Sequence, residues 1–161
     1  MDKIFWMLPG RLAGRSGPDQ DPWDAATLRA AGIRAVLSVN AGDMCRPAEL
    51  AEQGINYACV PLSANAPPLP GDAHVCARAL PRALAFVTAQ LEEGRAVLVH
   101  CTAGKDRTGL FLSYFLMHHA RLTPHGAIEA VRRVRPIALS AAGWDVFARE
   151  VLADSALRAK A

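Results

Sequence analysis

Apolar positions along the chain fall into three short, nearly unbroken runs set among longer segments of helical period. Residues 33–39 (Ile-Arg-Ala-Val-Leu-Ser-Val), 55–60 and 96–100 (Ala-Val-Leu-Val-His) are rich in β-branched and aliphatic side chains. Their length and flanking glycines predict buried strands. A helix is expected from Asp21-Pro22, a capping residue followed by proline, to Gly32, and another over residues 47–53, stopped by Gly54. Residues 61–71 hold four prolines and little periodicity, which predicts a loop of a length that is often functional. Asp72 is expected to cap the next helix, with Pro81 kinking or splitting it before Gly94. Residues 108–120 follow as a helix whose Leu110, Phe111, Tyr114, Phe115 and Met117 form a wide core face. Thr123-Pro124 opens a further helix, and Ser140 or a neighbour opens the last. Strands alternating with helices, then a helical C-terminal part, predict an α/β fold: a central, mostly parallel sheet of about four or five strands flanked by helices.

The segment between the third strand and its helix concentrates the chemistry: His100-Cys101-Thr102-Ala103-Gly104-Lys105-Asp106-Arg107-Thr108-Gly109. The peptide N–H groups of Thr102, Ala103, Gly104, Lys105 and Asp106 can curl around one oxyanion and open onto a helix N-terminus. Arg107 presents a planar fork suited to two phosphate oxygens. Cys101 then lies beneath the phosphorus, where helix dipole, amides and guanidinium suit a thiolate. Such a site belongs at the C-terminal end of the central strand, where ligands bind in open α/β sheets.

This segment resembles the signature of the cysteine-dependent protein tyrosine phosphatase superfamily, His-Cys-x5-Arg-Ser/Thr, matched at His100, Cys101, Arg107 and Thr108. Chain length and the strand-loop-helix setting are most similar to the compact dual-specificity branch. Val60-Pro61-Leu62-Ser63-Ala64-Asn65-Ala66-Pro67-Pro68 is similar to the general-acid loop of dual-specificity and 3-phosphoinositide phosphatases, residues 33–40 to their preceding core strand, and Arg135-Pro136 to their late helical segment. The resemblance implies a phosphomonoester hydrolase without metal or other cofactor, working through a thiophosphoryl-enzyme. Cys101 is the implied nucleophile, Arg107 the grip on the equatorial oxygens, and Thr108 a hydroxyl donor to the sulfur. The backbone of Thr102, Ala103, Gly104 and Lys105 binds the phosphoryl group, and His100 is expected to hold the loop rather than carry protons. The Ala-Gly-Lys-Asp-Arg run is also similar to phosphatases that accept phosphoinositides or inositol phosphates, with Lys105 as a candidate contact to a second phosphate.

One position departs from the family pattern. The general-acid Asp falls on Ala64, which cannot donate a proton. Three readings stand: an Asp-to-Ala variant that holds substrate and turns over slowly; Asp106 as the acid, as in the myotubularin-type lipid phosphatases; or Asp72, swinging in from the far end of the loop. General acid catalysis contributes about 10²–10⁴-fold, so the choice separates a brisk enzyme from a crippled one. A binding module that retains phosphate with little turnover is the alternative outside enzymology.

Composition narrows the setting. The chain has 161 residues, 52% hydrophobic and 20% charged, as expected for one globular phosphatase domain over residues 1–161. A net charge of +3 suits an anionic substrate, a phosphorylated protein or a phosphoinositide, and demands neither nucleic acid nor membrane insertion. Met1-Asp2-Lys3-Ile4-Phe5-Trp6 lacks the apolar stretch of a signal peptide, and a cytoplasmic location is expected. Cys45, Cys59, Cys76 and Cys101 show no paired metal spacing. A reducing compartment suits the nucleophile, and Cys45 or Cys59 is a candidate resolving thiol should Cys101 oxidise.

Overall fold

The computed structural model describes residues 3–160. In chain order the elements are β1 (Phe5–Leu8), β2 (Leu12–Arg15), α1 (Ala25–Ala30), β3 (Ile33–Ser38), α2 (Pro47–Glu52), β4 (Asn56–Cys59), α3 (Asp72–Glu92), β5 (Ala96–His100), α4 (Arg107–His119), α5 (Pro124–Val134) and α6 (Trp144–Lys160). The sheet runs β1-β2-β5-β3-β4. All neighbours are parallel except the β1–β2 hairpin. The predicted α/β class holds, with five strands and the 96–100 strand at the centre.

The strands predicted from apolar runs are present as β3, β4 and β5. The first two strands were not predicted, although Ile4-Phe5-Trp6-Met7-Leu8 is itself an apolar run. Leu12-Ala13-Gly14-Arg15 has no β-branched residue, yet all four positions are buried. Gly14 sits opposite Phe5, and a Cβ there would lie 2.3 Å from the Phe5 ring. The aromatic ring fills the space that a side chain on residue 14 would occupy, so the sheet continues through a weak strand former.

Helices cover both faces. Leu12, Leu37, Val97 and Val99 pack on one side against Leu80, Val87, Leu110, Phe111, Phe115, Ile128, Val131 and Leu152 of α3, α4, α5 and α6. Ala13, Val36 and Leu98 point the other way, with Leu28 and Leu50 of α1 and α2. β5 is buried along its whole length, as a central parallel strand must be.

Four local expectations change. The first helix begins at Ala25 rather than Asp21, because Asp24 is the N-cap: its carboxylate accepts from Thr27 N at 2.8 Å and from the Thr27 hydroxyl at 2.7 Å. Pro81 does not split its helix; α3 runs unbroken for 21 residues with the proline on its exposed side. The last helix starts at Trp144, not Ser140, since Gly143 takes a left-handed φ of +76° and its carbonyl accepts from Phe147 N. Asp72 is no N-cap either. Gly71 holds that position, without a side-chain cap.

Candidate active site

β5 delivers Cys101 to the C-terminal edge of the sheet, and α4 begins six residues later at Arg107. The chain between them is held from outside by its carbonyls. Thr102 O accepts from Gly17 N at 2.9 Å. Ala103 O accepts from Arg135 Nη2 at 2.8 Å, and Gly104 O from Arg135 Nε at 3.1 Å. Lys105 O accepts from Gly109 N at 3.1 Å and from Leu139 N at 3.2 Å. Among the described residues, no amide from Thr102 to Thr108 donates to a backbone carbonyl. Nor does the Asp106 side chain cap α4. With the acceptors fixed and the donors free, the loop is a backbone nest for an anion at a helix N-terminus.

Gly104 makes this path possible. Its φ is +67°, and a Cβ would lie 2.5 Å from the Arg15 carbonyl and 2.6 Å from Ser16 N. Only glycine allows both the left-handed turn and the close approach to β2.

Cys101 is 2% exposed, and its Sγ receives a hydrogen bond from Thr108 Oγ1 at 3.1 Å. His100, fully buried behind it, has a proton position fixed by its partners. A carbonyl only accepts, so Nδ1 donates to Cys101 O at 3.0 Å. Nε2 then accepts from the Ser38 hydroxyl at 2.6 Å, and Ser38 Oγ accepts from Tyr57 OH at 2.8 Å. Burial pushes the imidazole pKa down from its ordinary 6.5 to about 4, and pushes the Tyr57 phenol up. A buried imidazole bonded through both ring nitrogens, with its charged form disfavoured, is placed to brace the loop. Cys45 Sγ lies 3.3 Å from the same Nε2. Cys59 Sγ donates to Asn40 O at 3.2 Å, and both thiols are free.

The cleft above Cys101, about 90 Å³, is lined by Ala64, Ala66, Thr102, Ala103, Asp106, Arg107 and Trp144. The structure thus brings Ala64 into the same cleft as Cys101 and Arg107. A larger cleft of about 260 Å³ between α3, α4 and α6 is lined by Leu80, Tyr114 and Val151 and contains neither Cys101 nor Arg107. Chemistry rather than volume locates the site.

Both alternative acids are occupied. Asp106 accepts from Lys105 Nζ at 2.9 Å through Oδ2 and from Ala141 N at 3.1 Å through Oδ1. Asp72 accepts from Leu69 N at 2.7 Å and from Asn65 Nδ2 through both oxygens. The Leu69 amide, then Asn65, hold the Asp72 carboxyl below its usual range, the wrong direction for an acid at neutral pH. Its work is to brace residues 65–69. Lys105 reaches Ser140 Oγ as well, at 3.2 Å, so two of the three ammonium donors of the rim lysine are engaged.

Several residues at the site carry no motif. Arg135 and Gly17 support the loop from outside, and Trp144 Nε1 donates to Asn65 O at 2.8 Å, fastening the 61–71 loop to α6. Asp19 and Asn40 both contact the Thr102 hydroxyl. Arg135 and Asn40 had a sequence signal only in their segments, one beside Pro136 in a stretch similar to the family's late helix, the other ending the stretch similar to its core strand.

Comparison with known proteins agrees with this geometry. Residues 20–145 match the family described as dual specificity phosphatase, catalytic domain. Dual specificity protein phosphatase 12 of Rattus norvegicus is 34% identical over 136 residues, 84% of this chain and 36% of that protein. The chain therefore spans about a third of the length of that relative. Two crystal structures share the fold. Tk-PTP in its active form gives a TM-score of 0.72 at 23% identity, covering 93% of this chain and 96% of the other. PTPMT1 in complex with PI(5)P gives 0.75 at 17% identity, covering 98% and 99%. With its match across most of the length and its cysteine-anchored loop intact, the chain belongs to the dual specificity phosphatase catalytic-domain family, a family of cysteine-dependent phosphatases.

Proposed function

We propose that this chain hydrolyses phosphomonoesters on phosphotyrosine or phosphoserine/threonine proteins, with Cys101 as nucleophile and the general-acid position vacant at Ala64. The observation that carries the reading is the pairing of Thr108 Oγ1 with a buried Cys101 Sγ at the mouth of a loop whose amides are free.

In the first step the Cys101 thiolate attacks phosphorus, an S–P bond forms, and the P–O bond to the substrate oxygen breaks. The free amides of residues 102–107 and the Arg107 guanidinium hold the three equatorial oxygens. They grip them more strongly as the phosphoryl group flattens, which places their effect in the transition state. In the second step water attacks phosphorus, the S–P bond breaks, and inorganic phosphate leaves with the thiolate restored. Thr108 stabilises the sulfur anion in both directions. The leaving oxygen needs a proton, and an alanine at residue 64 leaves solvent to supply it. The Asp106 carboxylate must release Lys105 or Ala141 N to take that role. The reaction is therefore expected to be slow for alkyl esters and faster for aryl esters with good leaving groups.

Phosphoinositides are the second substrate class within the same chemistry. Lys105, the residue offered for a second phosphate, pairs with Asp106 and Ser140, which favours the phosphoprotein reading. A buried thiol nucleophile suits a reducing compartment, and we place the protein in the cytoplasm on that ground. Among the described residues no helix is long and apolar enough to cross a membrane.

Phosphate release from an aryl phosphate and from a phosphotyrosine peptide tests the assignment. The unsubstituted chain is expected to release phosphate slowly, and Cys101→Ser to fall to background while still binding phosphate. Equal turnover in both proteins contradicts the nucleophile; tight binding with no release in either makes the chain a phosphate-binding module.

A further inference from the structure

The loop joining β2 to α1 forms a second wall of the phosphate site. Gly17 N donates to Thr102 O, and a Cβ on Gly17 would lie 2.3 Å from Cys101 O, so this backbone abuts the phosphate loop directly. Two bonds to Asp21 pin the segment: its carboxylate accepts from the Ser16 hydroxyl, and its carbonyl accepts from Arg15 Nη1 at 3.1 Å. Asp19 is thereby carried to the rim. It is exposed, and its Oδ2 accepts from Thr102 Oγ1 at 3.2 Å. The same hydroxyl oxygen accepts from Arg107 Nη2 at 3.3 Å and from Asn40 Nδ2 at 3.4 Å. A carboxylate thus stands two hydrogen bonds from the guanidinium that grips the phosphoryl group. Elsewhere around the rim Lys105 is paired with Asp106, and Arg135 is held in place by two loop carbonyls.

We propose that Asp19 is a specificity-determining residue, which turns away substrates carrying a second phosphate beside the scissile one and leaves the site to single phosphoryl groups in neutral or cationic surroundings, such as a phosphopeptide. This rests on the phosphoprotein reading above. A second phosphate next to the loop meets the Asp19 carboxylate, while the Lys105 charge beside it is already offset by Asp106. Two like charges several ångström apart in a half-open, partly screened cleft change affinity by about fivefold to tenfold. A peptide with lysine or arginine near the phosphoresidue gains from the same charge.

Asp19→Asn separates charge from structure, because the amide oxygen still accepts from Thr102 while the charge is gone. Binding of phosphotyrosine and of inositol 4,5-bisphosphate to the Cys101→Ser protein, by calorimetry at low and high salt, reads the effect with no turnover. The ratio of bisphosphate to monophosphate affinity is expected to rise about fivefold to tenfold in Asp19→Asn at low salt, and to shrink toward parity with the parent at high salt. Asp19→Ser should raise the ratio similarly, which guards against a folding defect in one variant. An unchanged ratio, a parallel loss of both ligands, or a parent that already prefers the bisphosphate overturns the proposal. Phosphate release by the unsubstituted chain is measured alongside: no release refutes the enzymatic reading while leaving the binding ratio interpretable, and no binding of either ligand refutes both.

Discussion

The phosphate loop, residues 101–107, and the proline-rich loop, residues 61–71, face each other across one small cleft and are maintained differently. The first holds every group the proposed chemistry calls for: the thiol, the guanidinium, free amides, and carbonyls fastened to Gly17, Arg135 and Leu139. The second has an equally well-anchored scaffold, but at the position proposed for the acid it carries an alanine. Trp144 fastens Asn65, Asp72 braces Asn65 and Leu69, and Gly143 lies close against Pro67 and Pro68, yet the residue presented to the cleft is Ala64. The contrast teaches that a loop's shape is specified by its anchors, while its chemistry rests on one side chain that the anchors do not constrain.

Perturbing each loop separately breaks or sharpens this contrast. Arg107→Ala should cost the largest amount, about 10²–10³-fold in phosphate release, as for loss of a transition-state donor, with weaker phosphate binding. Undiminished binding contradicts its place in the cradle. Arg135→Ala, which removes two bonds to loop carbonyls and a cation–π contact with the Phe5 ring, should lower turnover by about tenfold and leave two acceptors to find water. If phosphate affinity is untouched, the loop does not need that clamp.

A third perturbation is pH. His100 has a folded pKa of about 4 against an ordinary 6.5, because burial disfavours its charged form. Below pH 6.5 the unfolded chain takes up a proton that the folded chain refuses. This contribution is therefore fully present above pH 6.5 and is lost as pH falls toward 4. Over that window the loss should be roughly 3 kcal/mol at about 1.4 kcal/mol per unit. Chemical denaturation of the parent and of His100→Asn between pH 7 and 4.5 reads it; equal pH slopes in the two proteins remove His100 as the cause. Trp144→Phe should be the mildest, about 1–3 kcal/mol for leaving Asn65 O without its donor, and should affect the proline-rich loop far more than Cys101 reactivity. Equal losses of aryl phosphatase activity and stability argue that the two loops are one unit.

How much of this was legible in the sequence follows the kind of signal each residue sends. Three buried strands are apolar runs, and β3, β4 and β5 appear where the runs lie. Strand β2 was silent because Gly14 and Arg15 owe their burial to partners elsewhere, the Phe5 ring and the Trp23 face. Cys101, Arg107 and Thr108 come together as their spacing implies, since one local turn fixes all three. Asp106 and Asp72 were both candidate acids in the sequence; their partners, Ala141 N in one case and Leu69 N in the other, come from distant or non-periodic segments and send no local signal. Asp19 and Asn40 reach Thr102 from loops some sixty and more positions away, contacts no local pattern encodes.

The central claim, a complete phosphate loop facing an empty acid position, is tested most directly by steady-state phosphate release from a phosphotyrosine peptide by this chain and by Ala64→Asp. A gain of about a hundredfold, smaller on an aryl phosphate with a good leaving group, is the predicted result for a restored general acid. Good activity in both proteins with no gain contradicts it and moves the proton to another group at the cleft.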